Sequence, residues 1–247
     1  MPTLALIGFG QFGQLVAQHL TPHFTVLAYD AVPNTAAATR LGVTLTSLET
    51  AAKADVVVLA VPTQSLRETL MAIAPHVQPK AWVMDVCSVK VLPATWLEEL
   101  LPPHVNSAAT HPLFGPQSGA NGIAGLGIAV CPVRGDVAPV CAFLQEKLGL
   151  KVILTTAAEH DQHMAYVQGM AHLIGHALQS MDLPATPMAT KSYNALLELK
   201  HLLQHDTPEL FQAIQTLNPH AAPVAQQLLG NMQALLAKNP QTPHSDT

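Results

Sequence analysis

The stretch LALIGFGQFG, residues 4–13, runs from apolar residues into three closely spaced glycines and then into a helix-forming segment. This pattern predicts a β-strand, a tight turn and the start of a helix. Gly8 permits the turn, Gly10 lets the backbone approach a pyrophosphate, and Gly13 lets the helix pack on the strand. The stretch therefore predicts a dinucleotide site. Its predicted cofactor-binding residues are Gly8, Gly10, Gln11, Phe12 and Gly13.

A second apolar run, residues 24–29, ends in Asp30. A βαβ unit places a carboxylate there to accept hydrogen bonds from the adenosine ribose hydroxyls. The same carboxylate repels a 2′-phosphate, and no Arg or Lys follows before Arg40. The sequence therefore predicts NAD as the cofactor in preference to NADP.

A third apolar run, residues 55–61, is continuous, as expected of a strand buried on both faces. The turn after it contains Val61 and Pro62, and loops at the carboxyl ends of strands face the ligand in open α/β sheets. We therefore predict that Val61 and Pro62 contact the cofactor. An ordinary strand-ending role for Pro62 is the alternative.

Alternation of strand and helix patterns ends near residue 154, and the pattern after it is helical. We predict an α/β fold: a Rossmann-type domain with a doubly wound parallel sheet at residues 1–154, then a smaller all-helical domain at 155–238. Residues 239–247 are polar and proline-rich, which predicts a disordered tail.

The composition excludes several classes of protein. A net charge of −5 without a Lys/Arg cluster disfavours nucleic acid and anionic membranes as partners. Three cysteines without a CxxC pair are typical of reduced thiols in a cytoplasmic protein, and no apolar run reaches the ~18 residues of a membrane span. A content of 49% hydrophobic residues indicates extensive helix burial, which predicts a homodimer through the helical domain.

Polar residues follow two further predicted strands. Ser88 and Lys90 come after the strand at residues 82–86, and His111 comes at the end of the strand that begins at Val105. An imidazole with a pKa near ~6.5 is a competent base at neutral pH. His111 is thus the candidate base, with capping of a loop carbonyl as the alternative. Ser88 can orient a substrate oxygen, with a helix N-cap as the alternative.

The predicted long helix at residues 157–181 contains His160, His163, His172 and His176. The last two have HxxxH spacing but lack the glutamate of HExxH, and no cysteine or acidic third ligand is evident. No metal site is predicted. His172 is interpreted as a pocket residue or as a core histidine with satisfied hydrogen bonds.

Four motifs occur in one order: GFGQFG at residue 8, DVCSVK at residue 85, THPLFGP at residue 110, and EHDQH at residue 159, followed by His172. From residue 4 to about 236 the chain resembles the prephenate/arogenate dehydrogenases of tyrosine biosynthesis. The segment from Thr186 to Phe211 resembles the plant-type branch.

The resemblance implies NAD-dependent oxidative decarboxylation with substrate held between the nicotinamide and both domains. His111 would accept the proton of the 4-hydroxyl group, Ser88 would hold that hydroxyl, and His172 would lie near the ring carboxylate. An arginine of many microbial members is replaced here by Leu202, so carboxylate binding by a nearby lysine is a hypothesis. The predicted substrate-binding residues are Ser88, His111, Gln168, His172, Lys191 and Lys200.

Prephenate and arogenate differ by a keto group and an ammonium group. The loop at residues 113–126 contains no carboxylate for an ammonium, which favours prephenate. Arogenate dehydrogenase and a dual cyclohexadienyl dehydrogenase are the alternatives. Plant-type members commonly use NADP, whereas Asp30 favours NAD. A β-hydroxyacid dehydrogenase is disfavoured by the HPLFGP loop, and a non-catalytic NAD-binding regulatory protein is the more distant alternative.

Overall fold

The structure is a computed structural model that describes residues 1–204 and 206–238. The chain forms two units, Met1–His160 and a second that begins at Asp161. The predicted tail at residues 239–247 lies outside the described residues.

The first unit is built on one sheet. Its strands are β1 Thr3–Ile7, β2 Thr25–Tyr29, β3 Thr44–Leu45, β4 Val56–Leu59, β5 Trp82–Asp85, β6 Asn106–Pro112, β7 Gly127–Arg134 and β8 Lys151–Leu154. The strand order is β3-β2-β1-β4-β5-β6-β7-β8. Reversal of the order on either side of β1 and β4 is the doubly wound pattern, so the predicted fold class is confirmed.

The sheet is not parallel throughout. Strands β1 to β6 pair in parallel, whereas β7 pairs antiparallel with β6 and parallel with β8. The loop between β6 and β7 contains no crossover helix, and antiparallel neighbours need none. The short strand β3 is a further difference, because the apolar runs predicted no strand between Asp30 and residue 55.

Strand β1 shows why the middle of the sheet is apolar on both faces. Leu4 and Leu6 belong to one buried cluster, with helix residue Leu20. Ala5 and Ile7 point to the opposite face and belong to a second buried cluster. The period of two along a strand gives this division, and helices on both faces complete it.

The helices of the first unit start and end where local sequence signals permit. They are α1 Gln11–Leu20, α2 Thr35–Leu41, α3 Leu48–Ala52, α4 Thr63–Ile73, α5 Val91–Leu100, α6 Ala138–Glu146 and α7 Ala157–Met164, which continues into the second unit. In α2, the Asn34 side chain accepts a hydrogen bond from Ala37 N, and Gly42 closes the helix in the left-handed conformation.

The second unit is helical, as predicted. After the end of α7 come a π-helical turn at Ala165–Met170 and then α8 Ala171–Gln179, α9 Lys191–Leu202, α10 Pro208–Thr216 and α11 Ala221–Lys238. The predicted continuous helix at residues 157–181 is therefore wrong at its middle. Across residues 1–204 and 206–238, no helix combines the length and apolarity needed to cross a bilayer.

Candidate active site

The glycine turn joins β1 to α1 in a geometry that glycine alone accommodates. Gly8 has φ +101°, and a methyl group on it would lie 2.4 Å from the carbonyl oxygen of Ala60. A methyl group on Gly13 would lie 2.2 Å from the carbonyl oxygen of Gly8. By contrast, the space beside Gly10 is open to 4 Å, and no side chain caps α1. The turn thus presents bare backbone where the helix begins.

The β4–α4 turn lies against this glycine turn. A methyl group on Gly8 would lie 2.9 Å from the nitrogen of Val61, as well as close to the carbonyl oxygen of Ala60. Pro62 precedes the first residue of α4 in an extended conformation. The structure therefore places Val61 and Pro62 at the same sheet edge as the glycines.

Asp30 follows β2 and is held by two backbone N–H groups. Phe9 N donates to Oδ2 over 2.6 Å and Val32 N donates to Oδ1 over 2.9 Å. The first bond ties Asp30 to the glycine turn. Each carboxylate oxygen has more than one lone pair, so the group retains capacity to accept bonds from ligand hydroxyls.

The end of β5 carries a buried ionic network that the sequence did not predict. Asp85 and Lys90 are both fully buried, and Lys90 Nζ donates to Asp85 Oδ2 and, over 2.7 Å, to the carbonyl oxygen of Thr110. The Thr110 hydroxyl donates to the carbonyl oxygen of Asp85 over 2.5 Å. The network joins the end of β5 to the end of β6 and so fixes the residues that follow each strand.

Cys87 lies within the same network. Its backbone N–H donates to Asp85 Oδ2 over 2.9 Å. Burial, together with the neighbouring carboxylate of Asp85, raises the pKa of the Cys87 thiol to about 12. The thiol is therefore protonated at neutral pH and is not a nucleophile.

His111 lies near the end of β6 and is paired with a second histidine. Its side chain is buried, and His111 Nδ1 lies 2.9 Å from His160 Nε2. The two ring planes are inclined by 69°. One of the two nitrogens must carry the proton of this hydrogen bond. His160 was predicted only as one of several helix histidines, because its contact with His111 spans 49 residues.

Ser88 follows β5 at the same sheet edge where His111 lies near the end of β6. Strands β5 and β6 are parallel neighbours, with Asp85 opposite Ala109. Ser88 is half-buried. Lys90, not Ser88, precedes the first residue of α5, and no side chain caps that helix. The alternative role of Ser88 as an N-cap is therefore wrong.

The helical unit holds the other predicted substrate residues. Gln168 lies in the π-helical turn, and its Oε1 has no hydrogen-bond partner within the described residues. Lys191 is the exposed first residue of α9, and Lys200 Nζ donates to the carbonyl oxygen of Met181 over 2.8 Å. His172 is buried, with Nδ1 2.9 Å from Asp206 Oδ2.

The position of Asp206 shows that one expectation about the HxxxH pair was wrong. The HxxxH pair was predicted to lack an acidic neighbour, but the structure places Asp206 beside His172 and His176. The residue was missed because it lies 30 positions after His176 and joins the pair only through the tertiary fold. Asp206 itself begins the Asp-Thr-Pro segment, in which Thr207 caps α10. This local pattern gave no signal of a contact with His176.

Comparison with known proteins identifies the family. The family described as "Prephenate dehydrogenase, nucleotide-binding domain" matches residues 15–125, and "TYRAAT1-like, C-terminal domain" matches residues 177–242. Arogenate dehydrogenases 1 and 2, chloroplastic, of Arabidopsis thaliana are each 30% identical over 230 residues, 88% of this chain. The chain belongs to the prephenate/arogenate dehydrogenase family. It spans 36% and 64% of the lengths of these two relatives.

A solved member of the prephenate/arogenate dehydrogenase family has the same fold. The prephenate dehydrogenase of A. aeolicus, determined in complex with hydroxyphenyl propionate and NAD⁺, superposes with a TM-score of 0.75. It covers 96% of this chain and 91% of its own, at 19% sequence identity.

The residues present fit the nucleotide that the family name implies. The open space beside Gly10 and the uncapped start of α1 leave backbone N–H groups available to a pyrophosphate. Asp30 stands at the position for ribose hydroxyls. The first unit is thus a nucleotide-binding domain in its geometry as well as in its family.

Proposed function

We propose that the protein catalyses the NAD-dependent oxidative decarboxylation of prephenate to 4-hydroxyphenylpyruvate. One observation carries the proposal: a buried His111, paired with His160, lies near the end of β6 at the carboxyl edge of the sheet, where the glycine turn follows β1. Polar groups at the carboxyl ends of adjacent parallel strands are where α/β enzymes bind their ligands. Membership of the prephenate/arogenate dehydrogenase family supports the reaction class.

His111 acts as the base in this proposal. In the tautomer that serves the reaction, His111 Nδ1–H donates to His160 Nε2, and the lone pair of His111 Nε2 faces the substrate. That nitrogen accepts the proton of the 4-hydroxyl group, while the Ser88 hydroxyl orients the same oxygen. General-base catalysis of this kind contributes about 10²–10⁴ in rate.

The bond changes balance without a further reactant. NAD⁺, when bound, supplies the acceptor for the hydride. As the 4-hydroxyl proton passes to His111, its C–O bond becomes a carbonyl and the hydrogen on the same carbon leaves as hydride. The ring carboxylate then leaves as CO₂, its electron pair completes the aromatic ring, and the former carbonyl oxygen takes back the proton held by His111. His172, Gln168, Lys191 and Lys200 are proposed to bind the carboxylates and the side chain of the substrate.

Asp30 supports NAD as the cofactor. Its carboxylate is fixed by Phe9 N and Val32 N at the end of β2, and a fixed negative charge disfavours a 2′-phosphate. Arg40 lies with Nη2 3.4 Å from Gln14 Oε1 on α1. We therefore propose NAD, with NADP as the alternative.

Prephenate is proposed over arogenate because the loop at residues 113–126 contains no carboxylate for an ammonium group. Arogenate is the second candidate substrate. The observation that favours it is the name of the two Arabidopsis relatives, both arogenate dehydrogenases.

We propose a homodimer through the helical unit. Helix α11 exposes a run of large apolar side chains, which a second copy would cover. They are Leu229, Met232, Leu235 and Leu236. Light scattering that reports a monomer at micromolar concentration would rule the dimer out.

The experiment is reduced-cofactor formation, followed by absorbance, with prephenate or L-arogenate and with NAD⁺ or NADP⁺. Turnover with prephenate and NAD⁺ is expected. Turnover only with arogenate would contradict the substrate proposal, and turnover only with NADP⁺ would contradict the role of Asp30. Inactivity in all four mixtures would contradict the dehydrogenase proposal.

The variant His111→Gln tests the base. We expect kcat to fall about 10²–10⁴-fold, with only a modest fall in melting temperature from disturbing the buried hydrogen bond to His160. The matched control is His104→Gln, the same change at an exposed position of the same unit, which should leave kcat unchanged. Equal activity of the two variants would remove His111 from the reaction.

A further inference from the structure

His172, His176 and Asp206 form a compact cluster within the helical unit. The two histidines lie four residues apart on α8, so their side chains share one helix face. Asp206 lies just before α10. The candidate ligand atoms of the three residues all lie within 4.8 Å of one another.

His172 is buried and the other two residues are half-buried, and the polar atoms that the three turn toward one another lack well-aligned hydrogen bonds. His172 Nδ1, His176 Nε2 and Asp206 Oδ2 are inaccessible to solvent and have no such partner within the described residues. His172 Nδ1 and Asp206 Oδ2 are 2.9 Å apart, which is an ion-pair distance, but the pair does not meet hydrogen-bond geometry. Buried polar atoms without partners are costly and rare in native proteins.

A simple ion pair explains only part of this arrangement. Pairing a protonated His172 with Asp206 would leave His176 Nε2 buried without a partner. The ring of His176 is itself held in place, because its centroid lies 4.2 Å from that of Phe211 on α10. A ligand that accepts lone pairs from all three atoms would satisfy the whole cluster.

Two imidazoles and one carboxylate are the donor set of a transition-metal site with an open position. Tetrahedral ligands at zinc–ligand distances of about 2.0–2.1 Å are separated by about 3.3 Å, so small side-chain rotations complete the site. Calcium and magnesium are disfavoured because they prefer oxygen ligands. We infer that His172, His176 and Asp206 bind one divalent transition-metal ion, with zinc as the best match.

With the ion bound, the site would have a net charge of +1, because the single carboxylate neutralises one of the two positive charges of the ion. Its open position can take water or a carboxylate anion. Coordination through Nδ1 of His172 leaves the other ring nitrogen for the substrate role proposed above. The inference goes beyond the dehydrogenase proposal and does not depend on it, since metal binding is measured without turnover.

The test uses the untagged full chain after removal of metals with a chelator and dialysis. Calorimetric titration with ZnCl₂ is expected to give a stoichiometry near one, and zinc is expected to raise the melting temperature. Titration with CoCl₂ is expected to produce the visible absorption of tetrahedral Co²⁺. His176→Gln and Asp206→Asn should each weaken zinc binding at least about 100-fold, the upper end of the cost of losing an outer-shell partner.

His163→Gln is the matched control, because His163 is an exposed histidine of the same unit outside the cluster. It should bind zinc like the wild type. If one of the two cluster variants fails to fold, the other provides the test: it should lack the visible absorption of tetrahedral Co²⁺. Absence of zinc binding by the wild type, or equal affinity of His163→Gln and both cluster variants, would overturn the inference.

Discussion

Lys90 in the sheet unit and the histidine cluster in the helical unit differ in the partners that their buried polar atoms have. In the sheet unit, Lys90 is fully buried and its ammonium group bonds to Asp85 and to the backbone of β6. In the helical unit, the buried lone pairs of the cluster formed by His172, His176 and Asp206 lack aligned partners in the described structure. Folding supplies partners for the buried ammonium group of Lys90, whereas the buried imidazole nitrogens of the cluster would gain aligned partners with a ligand.

The largest effect is expected from removing the buried cation of the sheet unit. Lys90→Met leaves the Asp85 carboxylate buried without its cation, which costs about 3–5 kcal/mol of unfolding free energy. Urea denaturation at neutral pH measures this loss. The matched control is Lys53→Met, because Lys53 forms an exposed ion pair with Glu49 at 2.7 Å. Solvent screens that pair, so its loss should change stability little, and equal losses in the two variants would contradict the contrast between buried and exposed pairs.

A smaller effect of opposite sign is expected in the helical unit. In the metal-free protein, His176→Leu replaces a buried nitrogen that lacks a partner with an apolar group, so the unfolding free energy should rise by about 1 kcal/mol. Saturating zinc should reverse the order of stability, because only the wild type gains binding energy. Urea denaturation with and without zinc measures both values. A loss of stability in metal-free His176→Leu would show that the nitrogen is already satisfied.

The smallest effect concerns an exposed polar contact of the sheet unit. Thr3 N and the Thr3 hydroxyl each donate to Asp55 Oδ2 over 2.8 Å, and these bonds, the backbone one first, lower the pKa of Asp55. Because the folded-state pKa is lowered, the ionised carboxylate stabilises the fold above the unfolded pKa near ~3.9. This contribution is lost as pH falls through the folded-state pKa.

Asp55→Asn should therefore cost less than about 1 kcal/mol at pH 7, since solvent screens the exposed carboxylate. The difference from the wild type should shrink below about pH 4. Unfolding curves across this range measure it. A pH-independent difference would indicate a packing effect rather than a charge effect.

Local patterns predicted the parts of the molecule that depend on local physics. The glycine spacing at residues 8–13 specified the turn because backbone sterics decide it. The apolar runs at β1 and β4 indicated buried strands because both faces must be covered. The strand-end position of His111 followed from the pattern around it.

Features that depend on distant partners were not predictable from the sequence. Asp206 reaches His176 only through the helical packing, and His160 reaches His111 across 49 residues. The π-helical turn at Ala165–Met170 was missed because a 3.6-residue apolar period does not reveal a change in backbone hydrogen bonding. The direction of β7 was missed because periodicity specifies a strand but not its orientation.

The protonated, buried thiol of Cys87 can be used to detect local opening of the sheet unit at the end of β5. Burial raises the pKa of the thiol to about 12, so the thiol is protonated at pH 7, and burial also keeps alkylating reagents away from it. Alkylation of Cys87 must therefore wait for the carboxyl end of β5 to separate from its neighbours. Peptide mass spectrometry that follows alkylation at Cys87, separately from Cys131 and Cys141, would thus report local opening at the dinucleotide-binding edge of the sheet.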